Sequence, residues 1–221
     1  MIPILDPPRT RAERHAMVTS QLRTSDVNDP RVQAAMASVP REDFLPADAA
    51  VLAYRDRPIP LGRGREQNPP LATGRLLTEA QLEPTDRVLL LGAAGGYTAA
   101  VLAGIVAHVT ALESDPDLLA IAGRALAATS NVALVAGPLD EGHPARAPYD
   151  VLVIDGCVEQ LPPALIEQVR PGGRVVTGIV ERGVRRLAAG RRTAGGFGLQ
   201  SFADYDCVML PGFARPHAFR F

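Results

Sequence analysis

The stretch Arg87-Val88-Leu89-Leu90-Leu91-Gly92-Ala93-Ala94-Gly95-Gly96-Tyr97 decides the fold. After Arg87 it is an unbroken apolar run that stops at a glycine. A strand with one wet face alternates apolar and polar residues, whereas a strand apolar throughout is covered on both faces, as in a parallel sheet. Glycine directly after such a strand lets the backbone turn tightly and lets a ligand approach with no Cβ in the way. Gly96 opens an alanine-rich helix expected over Gly95–Val106, whose first N–H groups favour an electron-rich ligand group. A turn of this kind also serves purely structural ends, because Gly and Ala are abundant in this chain.

Outward from this stretch the pattern alternates. Strands are predicted at His108–Glu113, Asn131–Ala136, Asp150–Asp155 and Gly173–Gly178. Helices are predicted at Asp115–Ala128 and near Pro163–Val169. Strands separated by helices imply βαβ units and a parallel sheet with right-handed crossovers. Val184 to Phe221 reads instead as antiparallel strands joined through Gly195-Gly196. In the other direction, residues 8–23 place Ala12, Met17, Val18 and Leu22 at helical spacing. A helix at Asp29–Ser38 takes Asp29 as cap and Pro30 in its first turn, where the missing N–H does no harm. Residues 39–70 read mainly as loop with a helical turn near Ala47–Tyr54, and a helix follows over Leu71–Leu82. The expected class is α/β, with the Rossmann-like fold of class I methyltransferases. It comprises a mostly parallel sheet, antiparallel C-terminal strands and an N-terminal helical extension. One domain spans 1–221, with residues 1–83 as a helical and loop extension over the site and 84–221 as the core.

Glu113 ends the second strand about twenty residues beyond the glycine turn, where an acid can accept hydrogen bonds from both ribose hydroxyls. The plainer alternative is a solvated carboxylate at the start of a loop. Turn and acid together point to an adenosine-type cofactor without separating S-adenosylmethionine from NAD. The helical extension ahead of the first strand and the antiparallel tail favour the former.

Several ordered segments resemble the protein-L-isoaspartate O-methyltransferases. They include Met17-Val18-x-x-Gln21-Leu22, Asp29-x-Arg31-Val32-x-x-Ala35-Met36 and Val39-Pro40-Arg41-Glu42-x-Phe44-Leu45-Pro46. Ala53-Tyr54-x-Asp56-Arg57-Pro58-Ile59-Pro60-Leu61-Gly62 follows, then Gly95-Gly96-Tyr97 and Ala147-Pro148-Tyr149-Asp150. The resemblance implies methylation, by S-adenosylmethionine, of the α-carboxylate of isoaspartyl residues in damaged proteins and peptides, a step of protein repair. It implies cofactor contacts from Gly92, Ala93, Ala94, Gly96 and Glu113. The transfer is an in-line displacement at a sulfonium methyl, which asks for alignment and a desolvated carboxylate more than for acid–base groups.

The sequence departs from the family where the chemistry lies. The family's Gln-Thr-Ile-Ser-Gln-Pro run reads Arg65-Glu66-Gln67-Asn68-Pro69-Pro70, with Asn68 at the serine position. An Asn amide can donate to a carboxylate, and Arg65 can hold one with a two-pronged fork, while Glu66 repels it. A redrawn surface loop without a catalytic task is the alternative reading. Leu90 stands where the family has an acid, and Ala94 where it has the middle loop glycine. Gly137-Pro138-Leu139 replaces Gly-Asp-Gly, leaving Asp140 as a substitute for the acid that contacts adenine. Asp155 ends the fourth strand, where other class I methyltransferases often carry an acid; alternatively it caps the following turn. These departures keep two other functions open: a binding module on a methyltransferase fold that has lost catalysis, and methylation of another carboxylate or of a small molecule.

Composition narrows the classes further. Lys and Arg total 23 against 24 Asp and Glu, a net charge of −1, which offers no footprint for nucleic acid or an anionic membrane. Arg182, Arg185, Arg186, Arg191 and Arg192 crowd one segment and read as a solvated edge hairpin. There is no Trp, and aromatics make up 5%, which argues against a stacking platform. Cys157 and Cys207 form no Cys-x-x-Cys pair, so buried, reduced thiols are expected and no zinc site. No signal-peptide pattern or membrane-length apolar span appears, and a cytoplasmic protein is expected. Leu210-Pro211-Gly212-Phe213 reads as an edge turn, and Phe219 and Phe221 as residues that pack on the core or on a partner. Oligomeric state is not legible.

Overall fold

The computed structural model describes residues 8–215; Phe219 and Phe221 lie outside them. A seven-stranded sheet runs through its centre. The chain order of the elements is α1 (Pro8–Ala16), α2 (Pro30–Ser38), β1 (Ile59–Gly62), β2 (Arg65–Gln67), α3 (Pro70–Glu79), β3 (Arg87–Leu91), α4 (Tyr97–Ala103), β4 (His108–Glu113), α5 (Pro116–Ala125), β5 (Val132–Ala136), β6 (Tyr149–Val158), α6 (Pro163–Glu167), β7 (Val169–Glu181), β8 (Val184–Arg191) and β9 (Leu199–Asp204). The sheet order is β5-β4-β3-β6-β7-β8-β9. β3 to β7 pair in parallel, and β7–β8 and β8–β9 pair antiparallel. The order turns back between β3 and β6, and the crevice outside the strand ends at such a reversal is where open α/β sheets bind ligands.

β3 earns its central place by being apolar on both faces. Val88 and Leu90 join one buried cluster with Leu76, Leu77, Val101 and Leu102. Leu89 and Leu91 join the other with Leu152, Leu165, Leu210 and Phe213. The first cluster also takes in Met17, Leu22, Val32 and Met36, so the N-terminal helices share the core of the sheet. The helix starts follow local rules. Asp29 caps α2 by accepting from the Arg31 N–H at 2.8 Å, with Pro30 first in the helix. Asp115 caps α5 through the N–H groups of Asp117 and Leu118.

Several expectations are corrected. The 8–23 helix stays α-helical only to Ala16, continues as π-helix over Met17–Leu22 and closes in a 3-10 turn, and Ala12 is exposed while Arg14 is buried against the Tyr54 hydroxyl. Residues 39–70 are mainly turns and irregular chain, with the expected helical turn at Ala50–Leu52. What the reading lacked is the 3-10 turn at Arg41–Phe44 and the β1–β2 hairpin, whose partners cross between Ile59 and Gln67. The prolines and glycines that suggested a loop sit at the ends of these short elements. The Gly95–Val106 helix is confined to Tyr97–Ala103. β6 and β7 both run well beyond their predicted ends, at Val158 and Glu181. The arginine-rich segment runs into β8, which with β9 makes the expected hairpin at the edge of the sheet, β9 being outermost. Two of its charges are paired: Arg185 with Asp206, and Arg186 with Glu181 and Asp204. Leu210-Pro211-Gly212-Phe213 does turn, at Pro211-Gly212, but not at an edge of the sheet. Leu210 and Phe213 are buried, and the Leu210 N–H donates to the Cys157 carbonyl, so this segment lies along the end of β6. Both cysteines are free and buried.

Candidate active site

Four pieces of chain meet at the C-terminal ends of β3, β4 and β6: the turn Gly92–Gly96, the end of β4, the β1–β2 hairpin with the start of α3, and the tail at 207–213. The turn has the backbone its glycines foretold, with positive φ at Gly92 and Gly96, of 76° and 99°. Ala94 shares that left-handed region at 48°, where a Cβ is crowded and glycine is the usual occupant. Gly92 and Ala93 hang from the Leu112 carbonyl of β4, so the turn is fixed to the neighbouring strand.

Glu113 sits where the sequence put it, but it is not solvated. Its side chain is fully buried. It accepts from the N–H groups of Ala94 at 2.7 Å, Ser114 at 2.8 Å and Asp115 at 3.0 Å. It also takes both prongs of Arg65, with Nη1 on Oε1 and Nη2 on Oε2, the latter at 2.9 Å. Arg65, in turn, is 7% exposed. A buried, two-pronged arginine–carboxylate pair is the strong form of an ion pair, since neither charge can find water in exchange.

The second predicted acid is equally engaged. Asp155 lies inside β6 and is 4% exposed, so it does not cap a following turn. The β6–β7 register shifts between Val153 and Cys157, and an irregularity of this kind re-aims side chains. Asp155 accepts from Asn68 Nδ2 and Thr73 Oγ1, both at 2.9 Å, and from Thr98 Oγ1. Asn68 also accepts from the Val208 N–H at 3.1 Å. Arg65 and Asn68 are therefore buried strand and hairpin residues, not members of a redrawn surface loop. Glu66 between them is exposed.

Residues that sequence reasoning missed complete the site. Arg41 is fully buried, lies 4.6 Å over the Tyr97 ring and donates to the Asn68 carbonyl. Its Nε and Nη1 have no hydrogen-bond partner among the described residues. Burial pulls its pKa below the ordinary arginine value, against the attraction of Tyr97 and Asp155. Burial likewise pushes Tyr97 up to about 12. Arg41 stood in the Val-Pro-Arg-Glu run that carried the resemblance, which was the available signal. Thr73 and Thr98 gave no signal of their own. Leu210 was hidden in a turn-like Leu-Pro-Gly. A Cβ at Gly92 would come within 2.8 Å of Leu210 Cδ1, and one at Gly156 within 2.6 Å of Leu210 Cγ. Leu210 thus fills the glycine-lined hollow at the β3–β6 reversal. Asp140 is set apart from these groups, against Gly212 of the tail. Leu90, in place of an acid, is buried in the sheet.

Tested against an adenosyl group, the donor set fits on the protein side: a buried carboxylate at the end of β4 and a glycine turn beside it. The room does not come free. A nucleoside reaches Glu113 and Gly92 only with the Arg65 fork and Leu210 moved aside.

No helix among the described residues is long and apolar enough to cross a membrane. The family described as protein-L-isoaspartate (D-aspartate) O-methyltransferase matches residues 12–210. A protein-L-isoaspartate O-methyltransferase of Koribacter versatilis is 35% identical over 90% of each chain. Protein-L-isoaspartate O-methyltransferase 1 of Rhodopseudomonas palustris is 40% identical over 83% of this chain and 76% of its own. A crystal structure described as a Plasmodium falciparum protein-L-isoaspartate O-methyltransferase in complex with S-adenosyl-L-homocysteine shares the fold. Its TM-score is 0.76 at 17% identity, over 88% of this chain and 96% of that one. By the ordered match across residues 12–210, and by relatives that align along most of their length, this chain belongs to the protein-L-isoaspartate O-methyltransferase family.

Proposed function

We propose that this protein is a methyltransferase that uses S-adenosylmethionine to esterify the α-carboxylate of isoaspartyl residues in damaged proteins and peptides. The observation that carries the reading is the placement of Glu113, a buried carboxylate at the end of β4 beside a left-handed glycine turn. When bound, S-adenosylmethionine supplies an electrophilic methyl on a positively charged sulfur. The chain's own residues then bind and exclude water. Glu113 would accept hydrogen bonds from the ribose hydroxyls, and Gly92, Ala93, Ala94 and Gly96 would line the backbone approach. Arg65 and Asn68 take the substrate carboxylate, and Asp155 fixes Asn68 through its amide. Burial of all of these strips water from the attacking carboxylate, which raises its reactivity toward a methyl in line with it. We further propose that the protein acts in the cytoplasm, as a solvent-exposed repair enzyme without a nucleic-acid partner. Calorimetric titration with S-adenosylhomocysteine, followed by transfer of a labelled methyl to an isoaspartyl peptide, tests the reading. Absence of binding at millimolar ligand ends it.

One observation favours a second reading, a binding module that has lost catalysis: Arg65 and Leu210 occupy the places beside Glu113 and Gly92. On that reading, restoring an acid at Leu90 and glycine at Ala94 creates an affinity for S-adenosylhomocysteine that the natural chain lacks.

A further inference from the structure

The residue assigned to the substrate carboxylate is holding the carboxylate assigned to the cofactor. The two oxygens of Glu113 already take both prongs of Arg65 and three backbone N–H groups. Two ribose hydroxyls need the same oxygens, so the fork and the diol compete for one place. We propose that Arg65 exchanges carboxylates: a nucleoside at Glu113 displaces the guanidinium, and the freed fork then receives the α-carboxylate of the isoaspartyl substrate. This rests on the carboxyl-methyltransferase reading above.

Three features support the exchange. An arginine keeps its charge under all ordinary conditions, so a fork leaving Glu113 in a nearly dry site needs another anion, and a carboxylate matches its geometry. The β1–β2 hairpin that carries Arg65 is a sheet of its own, not hydrogen-bonded into the central one. It can therefore shift without breaking a central strand pair. Finally, the hairpin and the tail are tied together. Asn68, three residues past Arg65, accepts from the Val208 N–H at 3.1 Å, and two residues further on Leu210 covers Gly92. Asn68 stays anchored on Asp155 of β6, so residues 59–67 shift about a fixed residue that also holds the tail, and both parts of the nucleoside's place border that one anchor. The consequence is ordered binding, nucleoside first and carboxylate second. The ester product is uncharged, so the fork loses its partner and returns to Glu113, which favours release.

The test compares the natural protein with Arg65→Gln and Arg65→Lys, each first shown to be folded by circular dichroism and a thermal melt. Titration with S-adenosylhomocysteine should show Arg65→Gln binding at least tenfold tighter. The KM of Arg65→Gln for an isoaspartyl peptide should rise at least tenfold. Arg65→Lys should fall between, because an ammonium cannot make the two-pronged contact. A merely structural Arg65 cannot move these two readouts in opposite directions. Equal or weaker binding by Arg65→Gln, with the natural protein still binding, overturns the exchange and leaves the methyltransferase reading standing. No binding by the natural protein, Arg65→Gln or Arg65→Gln/Leu210→Ala overturns both. Should Arg65→Gln not fold, hydrogen exchange on the natural protein decides. Added S-adenosylhomocysteine should speed exchange in residues 59–67 and 207–213 together; unchanged or slower exchange in both refutes the exchange.

Discussion

Asp155→Ala should destabilise this protein far more than removal of the arginine that faces it. Asp155 is the shared acceptor for Asn68, Thr73 and Thr98, in a place that is 4% exposed. Alanine leaves three side-chain donors with nothing to donate to. Each such group costs roughly 1–3 kcal/mol, and water entering the vacated volume recovers part of that. It also strips Arg41, fully buried and short of hydrogen bonds, of a nearby negative charge. The loss should be about 3–5 kcal/mol, the range for breaking one side of a buried charged network. For a chain of this size that lowers Tm by roughly 6–20 °C. Asp155→Asn keeps one oxygen acceptor, and the Thr98 hydroxyl can turn to accept from the new amide, so about 1–2 kcal/mol is expected. Arg41→Met removes a buried cation whose Nε and Nη1 have no partner, but also its bond to the Asn68 carbonyl and its attraction to Asp155, and should cost about 1–2 kcal/mol. The double variant Arg41→Met/Asp155→Ala should then be less damaged than the sum of the two singles. Urea unfolding followed by far-UV circular dichroism is the assay, since the chain has no Trp to report by fluorescence. Asp155→Ala within about 1 kcal/mol of the natural protein, or Asp155→Asn as costly as Asp155→Ala, refutes the shared-acceptor argument.

Three further outcomes are expected. Ala94→Gly should change stability by less than about 1 kcal/mol, because relief of the left-handed Cβ offsets the lost methyl burial and the freer unfolded chain. Ala99→Gly, in the middle of α4, should by contrast cost about 2 kcal/mol, and similar urea midpoints for the two would contradict the strain at Ala94. Burial tends to raise the Asp150 carboxyl, but the Arg170 side chain, the Arg87 N–H at 2.7 Å and the charge of Arg174 hold it below the ordinary 3.8. A lowered folded-state pKa gives stability that is present above pH 3.8 and lost as pH falls through the lowered value. The stability gap between the natural protein and Asp150→Asn should therefore shrink between pH 6 and about pH 3, and a constant gap in urea unfolding denies the contribution. Cys157 and Cys207 are fully buried, and the hydrogen bond to Cys157, with burial, pushes the Cys207 thiol up. Neither should react with a thiol reagent in the native state and both should in denaturant; a full equivalent consumed natively would show that the tail opens readily.

The sheet was readable because its strands obey local rules. Arg87–Leu91 and His108–Glu113 were delimited to the residue, since apolar runs begin after a charged residue and stop at a glycine or an acid. The cap of α2 at Asp29 is equally local. What failed was structure fixed by partners distant in the chain. The β1–β2 hairpin is only four and three residues to a strand and carries prolines, so its own sequence does not distinguish it from a loop. It is held by Arg65 on Glu113, a contact across 48 positions. The burial of the tail is hidden from the sequence for the same reason. Leu-Pro-Gly suits a turn, and only the hollow left by Gly92 and Gly156 makes Leu210 a core residue.

The site shows a sharper division. Glu113, Asp155, Arg65 and Asn68 were all picked out by type and position, and the structure does bring them to one place at the ends of β4 and β6. Their pairing was not legible, because a sequence position states what a side chain can do and not which partner reaches it first. Taken alone, Arg65 suits a substrate carboxylate and Glu113 suits a ribose. Folding offers each of them the other. A fork and a carboxylate buried together satisfy each other without any ligand, so the closed arrangement is what this sequence favours when nothing is bound. The departures at Leu90 and Ala94 remove or crowd family contacts within the turn. The departure at Arg65 does something different: it gives the carboxylate of Glu113 an internal partner of two-pronged geometry. On the exchange proposed above, affinity for a nucleoside is set less by what the turn has lost than by the strength of that one ion pair, and exchanging a single side chain at position 65 tests it directly.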